Sequence, residues 1–164
     1  MHNYKIRKAD LSDCASLAAV EAACFPREEA AKYEDFRKRL KYYSDYFLLM
    51  FDGEKLVSFV DGFVTDIPYL TDEMYKKADM HDKNGAWQMI FGVNTIPEYR
   101  RQGCAERLLR QFIEKARSEK RRGVVLTCKE KLIHYYEKFG FVSEGISGYS
   151  THGSAVWYQM RLTF

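Results

Sequence analysis

The segment Val93-Asn94-Thr95-Ile96-Pro97-Glu98-Tyr99-Arg100-Arg101-Gln102-Gly103-Cys104-Ala105 offers the most legible chemistry in this chain. It lies between an apolar run and a long amphipathic pattern. Gly103 and the small Ala105 stand where backbone must come close to something. Amides at a helix N-terminus point along the axis and carry partial positive charge, so they bind phosphate. Arg100 and Arg101 add fixed charge beside them. A pyrophosphate suits such a loop without a metal. The Gly-Lys-Ser/Thr ending of a P-loop is missing, and so is G-x-G-x-x-G. Taken alone, the segment reads equally well as an ordinary loop with solvated charges.

A second group of reactive side chains follows about thirty residues later, in Leu132-Ile133-His134-Tyr135-Tyr136-Glu137-Lys138-Phe139-Gly140-Phe141. A phenol such as Tyr136 can protonate a departing thiolate or hydrogen-bond its developing charge. Outside any wider context, Tyr136 reads as a core aromatic beside Tyr135 and Phe139, and His134 as a surface side chain.

These groups need elements to hold them. Tyr4 to Arg7 alternates like an edge strand. Asp10 or Ser12 caps a helix that carries Leu17, Val20 and Glu21 to about Cys24, and Phe25-Pro26 ends it. A second helix is expected from Tyr33 to Tyr42, with Phe36 and Leu40 on one face. Phe47–Phe51 and Leu56–Val64 read as strands joined by Asp52-Gly53. The polar stretch from Asp66 to Gly85 allows a short helix near Asp72–Lys77. Trp87–Val93 reads as one buried strand and Gly103–Lys120 as an amphipathic helix. Gly123–Cys128 is a strand, Leu132–Phe139 a short helix, and Phe141–Glu144 and Ala155–Leu162 two closing strands. Trp157 and Tyr158 on the last of these read as packing. The strand–helix–strand units imply a parallel pair within a mixed sheet bearing helices on both faces.

Bulk properties narrow the function. The 164 residues, read as one domain over 1–164, hold 26 Lys and Arg against 23 Asp and Glu. That dispersed +3 excess argues against nucleic acid, which needs a clustered basic stripe. Cys14, Cys24, Cys104 and Cys128 form no C-x-x-C pair and no Cys/His metal spacing, so no metal is expected. Reduced thiols, the absence of an apolar leader and the absence of a spanning run predict a cytoplasmic protein with no membrane partner.

Arg100-x-x-Gly103-x-Ala105, preceded by Val93 and followed by Leu108-Leu109, resembles the R/Q-x-x-G-x-G/A signature of the GNAT superfamily of N-acetyltransferases. The Tyr136 segment resembles that superfamily's A-x-x-F-Y-x-x-x-G-F motif, at the right spacing. The resemblance implies an α/β fold whose mixed, mostly antiparallel sheet splays around the cofactor site. It implies acetyl-CoA as cofactor. The strand holding Phe91, Gly92 and Val93 would offer backbone to pantetheine. Arg100, Arg101, Gln102, Gly103, Cys104, Ala105 and Glu106 would surround the pyrophosphate, with Tyr135 as a further cofactor contact. Tyr136 would act as general acid. Cys104 departs from the commoner residues at a variable position, which matters little where backbone amides bind.

The segments Glu21–Pro26, Glu28–Ala31, Gly53–Phe59, Asp72-Glu73-Met74 with His81, and Leu126–Glu130 resemble arylalkylamine (serotonin-type) N-acetyltransferases and their bacterial relatives. That implies a small-molecule primary amine as acceptor. The vertebrate enzymes carry an H-x-H pair where this chain has Trp87 and Met89, so that base is absent. An alkyl ammonium must still lose a proton before it attacks. Glu28 or Glu29 is the expected base, with Asp61 and Asp66 behind them. Phe25, Pro26 and Tyr33 would meet the substrate's apolar body. Two other readings stay open: an acceptor amine on a peptide, protein or antibiotic, and a domain that binds coenzyme A without turnover. A homodimer is compatible with all three.

Overall fold

Capping residues and apolar spacing account for the helices of the computed structural model, which describes residues 3–164. Asp10 accepts from Ser12 N while Asp13 accepts from Asp10 N, which satisfies the donors that open a helix. Helix α1 (Cys14–Cys24) then runs to Phe25, whose extended backbone ends it before Pro26. Helix α2 (Tyr33–Tyr43) begins where Asp35 accepts from Lys32 N.

The chain divides into two compact units. The first takes the chain up to Gly62 and returns for Gly92–Phe112; the second takes Phe63–Phe91 and Ile113–Phe164.

In the first unit, β1 (Tyr4–Arg7), β2 (Phe47–Asp52), β3 (Lys55–Asp61) and β6 (Gly92–Thr95) form an antiparallel sheet in the order β1-β2-β3-β6. Gly53 turns the β2–β3 hairpin at φ +61°, a left-handed value that an added side chain would strain. Leu17 and Val20 from α1 are buried with Phe36 and Leu40 from α2. Phe36 meets Phe47 and Phe59 edge-on, with centroids 6.4 and 5.8 Å away.

In the second unit, β4 (Val64–Thr65), β5 (Trp87–Ile90), β7 (Gly123–Cys128), β8 (Val142–Ile146) and β9 (Tyr158–Thr163) form a sheet in the order β4-β5-β7-β9-β8. Only β5 and β7 run parallel. Gly123 lies so close to the Leu162 carbonyl that a Cβ would not fit. Two short helices, α3 (Asp72–Lys76) and α5 (Ile133–Glu137), belong to this unit. Helix α4 (Cys104–Ser118) begins in the first unit and ends in the second.

A mixed, mostly antiparallel α/β arrangement with one parallel pair agrees with the sequence reading. Two expected strands do not run through. Leu56–Val64 breaks after Asp61, and Val64–Thr65 pairs with β5 instead. Trp87–Val93 breaks at Phe91, with β5 in one sheet and β6 in the other. Both runs change partners in mid-course. Hydrophobic alternation reports burial and is blind to partners, so it merged the pieces. Among the described residues, no helix is long and apolar enough to cross a membrane.

Candidate active site

The loop between β6 and α4 is folded by its own side chains. Pro97 opens a short turn to Tyr99, whose hydroxyl donates to Asp52 Oδ2 at 2.6 Å. Arg100 Nε donates to the Thr95 carbonyl at 2.9 Å, and Gln102 Nε2 to the Glu98 carbonyl at 3.2 Å. Arg101 and Gly103 both adopt left-handed backbone, φ 62° and 81°. Gly103 does so freely; Arg101 does so under strain. The first helical bond runs from Arg107 N to the Gly103 carbonyl at 3.0 Å. The amides of Cys104, Ala105 and Glu106 therefore precede the helical ladder. A Cβ on Gly103 would meet nothing within 4 Å, so the space above the turn is open. This geometry fits a diphosphate. Arg101, Gln102 and Gly103 are exposed, whereas Cys104 is buried. Glu106 faces Arg110 at 3.8 Å.

The expected substrate residues lie in the same unit. Phe25 is half-buried, Pro26 exposed, and Tyr33 exposed at the start of α2. Pro26 accepts from the amides of Glu29 and Ala30, both at 2.9 Å, which curls the loop after α1. Glu28 is exposed and Glu29 buried. Asp66, in the second unit, is an exposed side chain that accepts from Ala86 N at 2.9 Å.

Asp61 belongs to a buried ionic cluster in the first unit. Arg39 Nη1 donates to Asp61 Oδ2 at 3.0 Å, and both side chains are almost wholly shielded from water. Glu21 Oε2 accepts from Ala31 N at 2.9 Å, fastening the loop after α1 to the helix before it. Glu21 Oε1 and Asp61 Oδ1 make no hydrogen bond among the described residues. Both oxygens aim at Gly92, where a Cβ would lie 3.4 and 3.0 Å from them. Two acids share one guanidinium, so full ionisation would bury a net negative charge. Burial accordingly pushes the Glu21 carboxyl up to about 7, against the pull of Arg39 and with the push of Asp61. The Asn94 amide lowers it slightly without completing a bond. Burial likewise pushes Asp61 up to about 6, with Arg39 opposing. Glu21, Arg39 and Asn94 carry no site role on sequence grounds. The signal was present: Glu21 shares the apolar spacing of Leu17 and Val20, and Arg39 that of Phe36 and Leu40.

The second unit holds Phe91, Tyr135 and Tyr136. Tyr136 is buried, with Tyr135 and Phe141 edge-on at 5.1 and 6.0 Å. Burial drives its hydroxyl pKa far upward, and Cys128, Tyr135 and Tyr75 add to the shift. Tyr75 stands beside Phe91, centroids 5.2 Å apart, and its hydroxyl lies 3.5 Å from Thr127 Oγ1. His134 is fully exposed near Glu137. His81 Nδ1 accepts from Val64 N at 3.1 Å, a structural role for a ring whose pKa burial lowers. Trp87 and Met89 are buried on β5, which leaves no titratable group where the H-x-H pair would stand. All four cysteines are free thiols. Among the described residues, no group of three or more His, Cys, Asp and Glu is placed to hold a metal ion.

Known proteins place this geometry. The family model described as an acetyltransferase (GNAT) domain matches residues 5–143. A search of curated protein sequences finds no match. Among solved structures, the loading GNATL domain of CurA from Lyngbya majuscula superposes with a TM-score of 0.83, at 17% identity over 98% of each chain. The PaiA N-acetyltransferase from Thermoplasma acidophilum, in complex with coenzyme A, gives 0.71 at 16% identity over 99% of each chain. The ribosomal-protein-S18-alanine N-acetyltransferase from Escherichia coli gives 0.74 at 15% identity, over 98% of this chain and 94% of that one. At these identities the likeness is one of fold. The match over residues 5–143, joined to a strand–turn–helix loop between β6 and α4, shows that the chain belongs to the GNAT family of acetyl-CoA-dependent N-acetyltransferases.

Proposed function

We propose that the chain acetylates the primary amine of a small arylalkyl or alkyl amine, by direct attack on acetyl-CoA with Tyr136 as general acid. The amides of Cys104, Ala105 and Glu106 bind the pyrophosphate, with Arg101 adding charge, and the backbone near Phe91 and Val93 receives the pantetheine arm. The amine nitrogen forms a bond to the acetyl carbon as the carbon–sulfur bond breaks. The electron pair leaves on sulfur, and Tyr136 supplies the proton that neutralises it. The carrying observation is the buried phenol of Tyr136 in its aromatic surround. Aromatic surface at Phe25 and Tyr33, beside the acid of Glu28, suits a cationic amine with an apolar body. Free thiols at all four cysteines fit a reducing cytoplasm.

The test is thiol release from acetyl-CoA with tryptamine, phenethylamine, a polyamine and peptides as acceptors. Tyr136→Phe should lower kcat by roughly ten- to a thousandfold while acetyl-CoA affinity holds. Turnover with peptides alone would replace the acceptor, and binding without release from any acceptor would make the chain a sensor. Equal loss of affinity, with turnover per bound cofactor unchanged, would remove Tyr136 from the chemistry.

A further inference from the structure

Acceptor ammonium must lose a proton before attack, and the positions Trp87 and Met89 cannot take one. Glu29 is buried and Glu28 exposed, with no hydrogen bond fixing the Glu28 carboxylate among the described residues. The second unit, by contrast, holds a histidine restrained on three sides. His152 lies on the turn that joins β8 to β9. Its backbone N–H donates to Asp72 Oδ1 at 3.1 Å, and its carbonyl accepts from Trp157 Nε1 at 2.7 Å. Its ring stacks on Tyr75, centroids 4.7 Å apart and planes 6° from parallel. The turn itself is tied to α3: Asp72 also accepts from Thr151 Oγ1 at 2.8 Å, Asp72 N donates to the Tyr149 carbonyl at 3.1 Å, and Ser150 Oγ donates to the Leu70 carbonyl at 3.1 Å. Directly after His152 the backbone turns left-handed, at Gly153 (φ 65°) and at Ser154 (φ 58°), where a side chain makes that strained.

Two backbone hydrogen bonds and one ring stack hold this half-exposed imidazole in a defined place in the unit. Tyr75 connects it to the rest of the unit. That ring meets Phe91, centroids 5.2 Å apart, and its hydroxyl lies 3.5 Å from Thr127 Oγ1 on β7. His152, Tyr75, Phe91 and Thr127 are all half-exposed, as the wall of an open site would be. The charged and titratable groups packed around His152 are Asp72 and Tyr75 from α3 and, across the Trp157 ring, Lys129, whose Nζ lies 5.8 Å from the ring centre.

We infer that His152, in place of Glu28 or Glu29, takes the proton of the acceptor ammonium. The inference rests on the assignment of Tyr136 as general acid. The ammonium gives one proton to a ring nitrogen of His152, leaving imidazolium and a neutral amine. The amine's lone pair closes the carbon–nitrogen bond as carbon–sulfur opens, and Tyr136 protonates sulfur. The positively charged nitrogen then returns a proton to the phenolate, and imidazolium releases its own to solvent. The sum is ammonium plus thioester giving amide, thiol and one proton.

The experiment compares His152→Gln with the wild type, Glu28→Gln and Tyr136→Phe, measuring thiol release with phenethylamine from pH 6 to 10. His152→Gln should lower kcat/KM for the amine by about a hundredfold at pH 7. The deficit should shrink toward pH 10, where neutral amine becomes abundant. Added imidazole should restore part of the activity of His152→Ala. Melting temperature and acetyl-CoA affinity should not move. Wild-type rates from His152→Gln, or an equal loss at every pH with no imidazole rescue, would overturn the inference. If Tyr136→Phe still fails in that case, the acid stands and the base lies elsewhere. A wild type that releases no thiol with any amine would remove both.

Discussion

The two units handle titratable groups that lie out of water in opposite ways. The first encloses charge and balances it, with Arg39 paired to Asp61, Glu21 close by and the surplus held as a proton. The second keeps its shielded cation, Arg121, on the more open Glu119 at 3.0 Å; it packs Tyr136 among rings and leaves His152 half-exposed on a tethered turn. A buried ion pair contributes little net stability yet costs much to break, because the partner left behind keeps its desolvation penalty. A buried phenol loses one weak group when altered. Damage to the ionic cluster should therefore appear in folding, and damage at Tyr136 in turnover.

The largest effect is expected from Arg39→Met, which leaves two buried acids without a cation. It should lower unfolding free energy by about 3–5 kcal/mol in urea melts. A loss below about 1 kcal/mol would mean that the cluster behaves like a surface pair, and the contrast between units would fail.

A smaller effect should come from Glu21→Gln, and its sign depends on pH. The folded-state pKa of Glu21, about 7, lies above the value of about 4.5 that a carboxyl has in the unfolded chain. Between those two values the folded state holds the extra proton, so this group lowers stability as pH rises through the window. Asp61 acts in the same direction, at about 6. Glu21→Gln should therefore gain on the wild type between pH 5 and pH 8, by on the order of 1–2 kcal/mol at the upper end. The amide keeps an acceptor for Ala31 N. Melts that track each other at every pH would show that Glu21 holds no such proton.

The smallest change in stability is expected from Asp72→Ala, under about 1 kcal/mol, since its hydrogen bonds lie at the surface. KM for the amine should nevertheless rise severalfold, because the His152 turn loses its tether. Unchanged kinetics would show that the turn holds its shape without Asp72.

Features fixed by neighbouring residues were legible in the sequence. Asp10 capping the first helix, Pro26 ending it, Gly53 in the hairpin and Gly103 before α4 each act within a few positions of themselves. The loop between β6 and α4 belongs to this class, since a small residue, basic neighbours and a helix start fall in one short stretch. The breaks at Gly62-Phe63 and at Phe91 were not legible, because each depends on which distant strand pairs next. Glu21 and Arg39 were half-legible: their place on apolar faces marked them as buried, but nothing nearby said that they would meet at Asp61. His152 gave no sign at all. Its restraints come from Asp72, some eighty positions away in the chain.

Strand order in the second sheet carries a consequence for how the molecule is assembled during synthesis. β9 follows β8 in the chain yet lies between β7 and β8. While the ribosome still holds β9, β8 has no ladder to join and β7 has one bare edge. Sheet closure, and with it the turn that presents His152, must wait for the final strand to slide into the gap. A nascent chain stalled before Tyr158 should therefore complete its first unit and remain inactive.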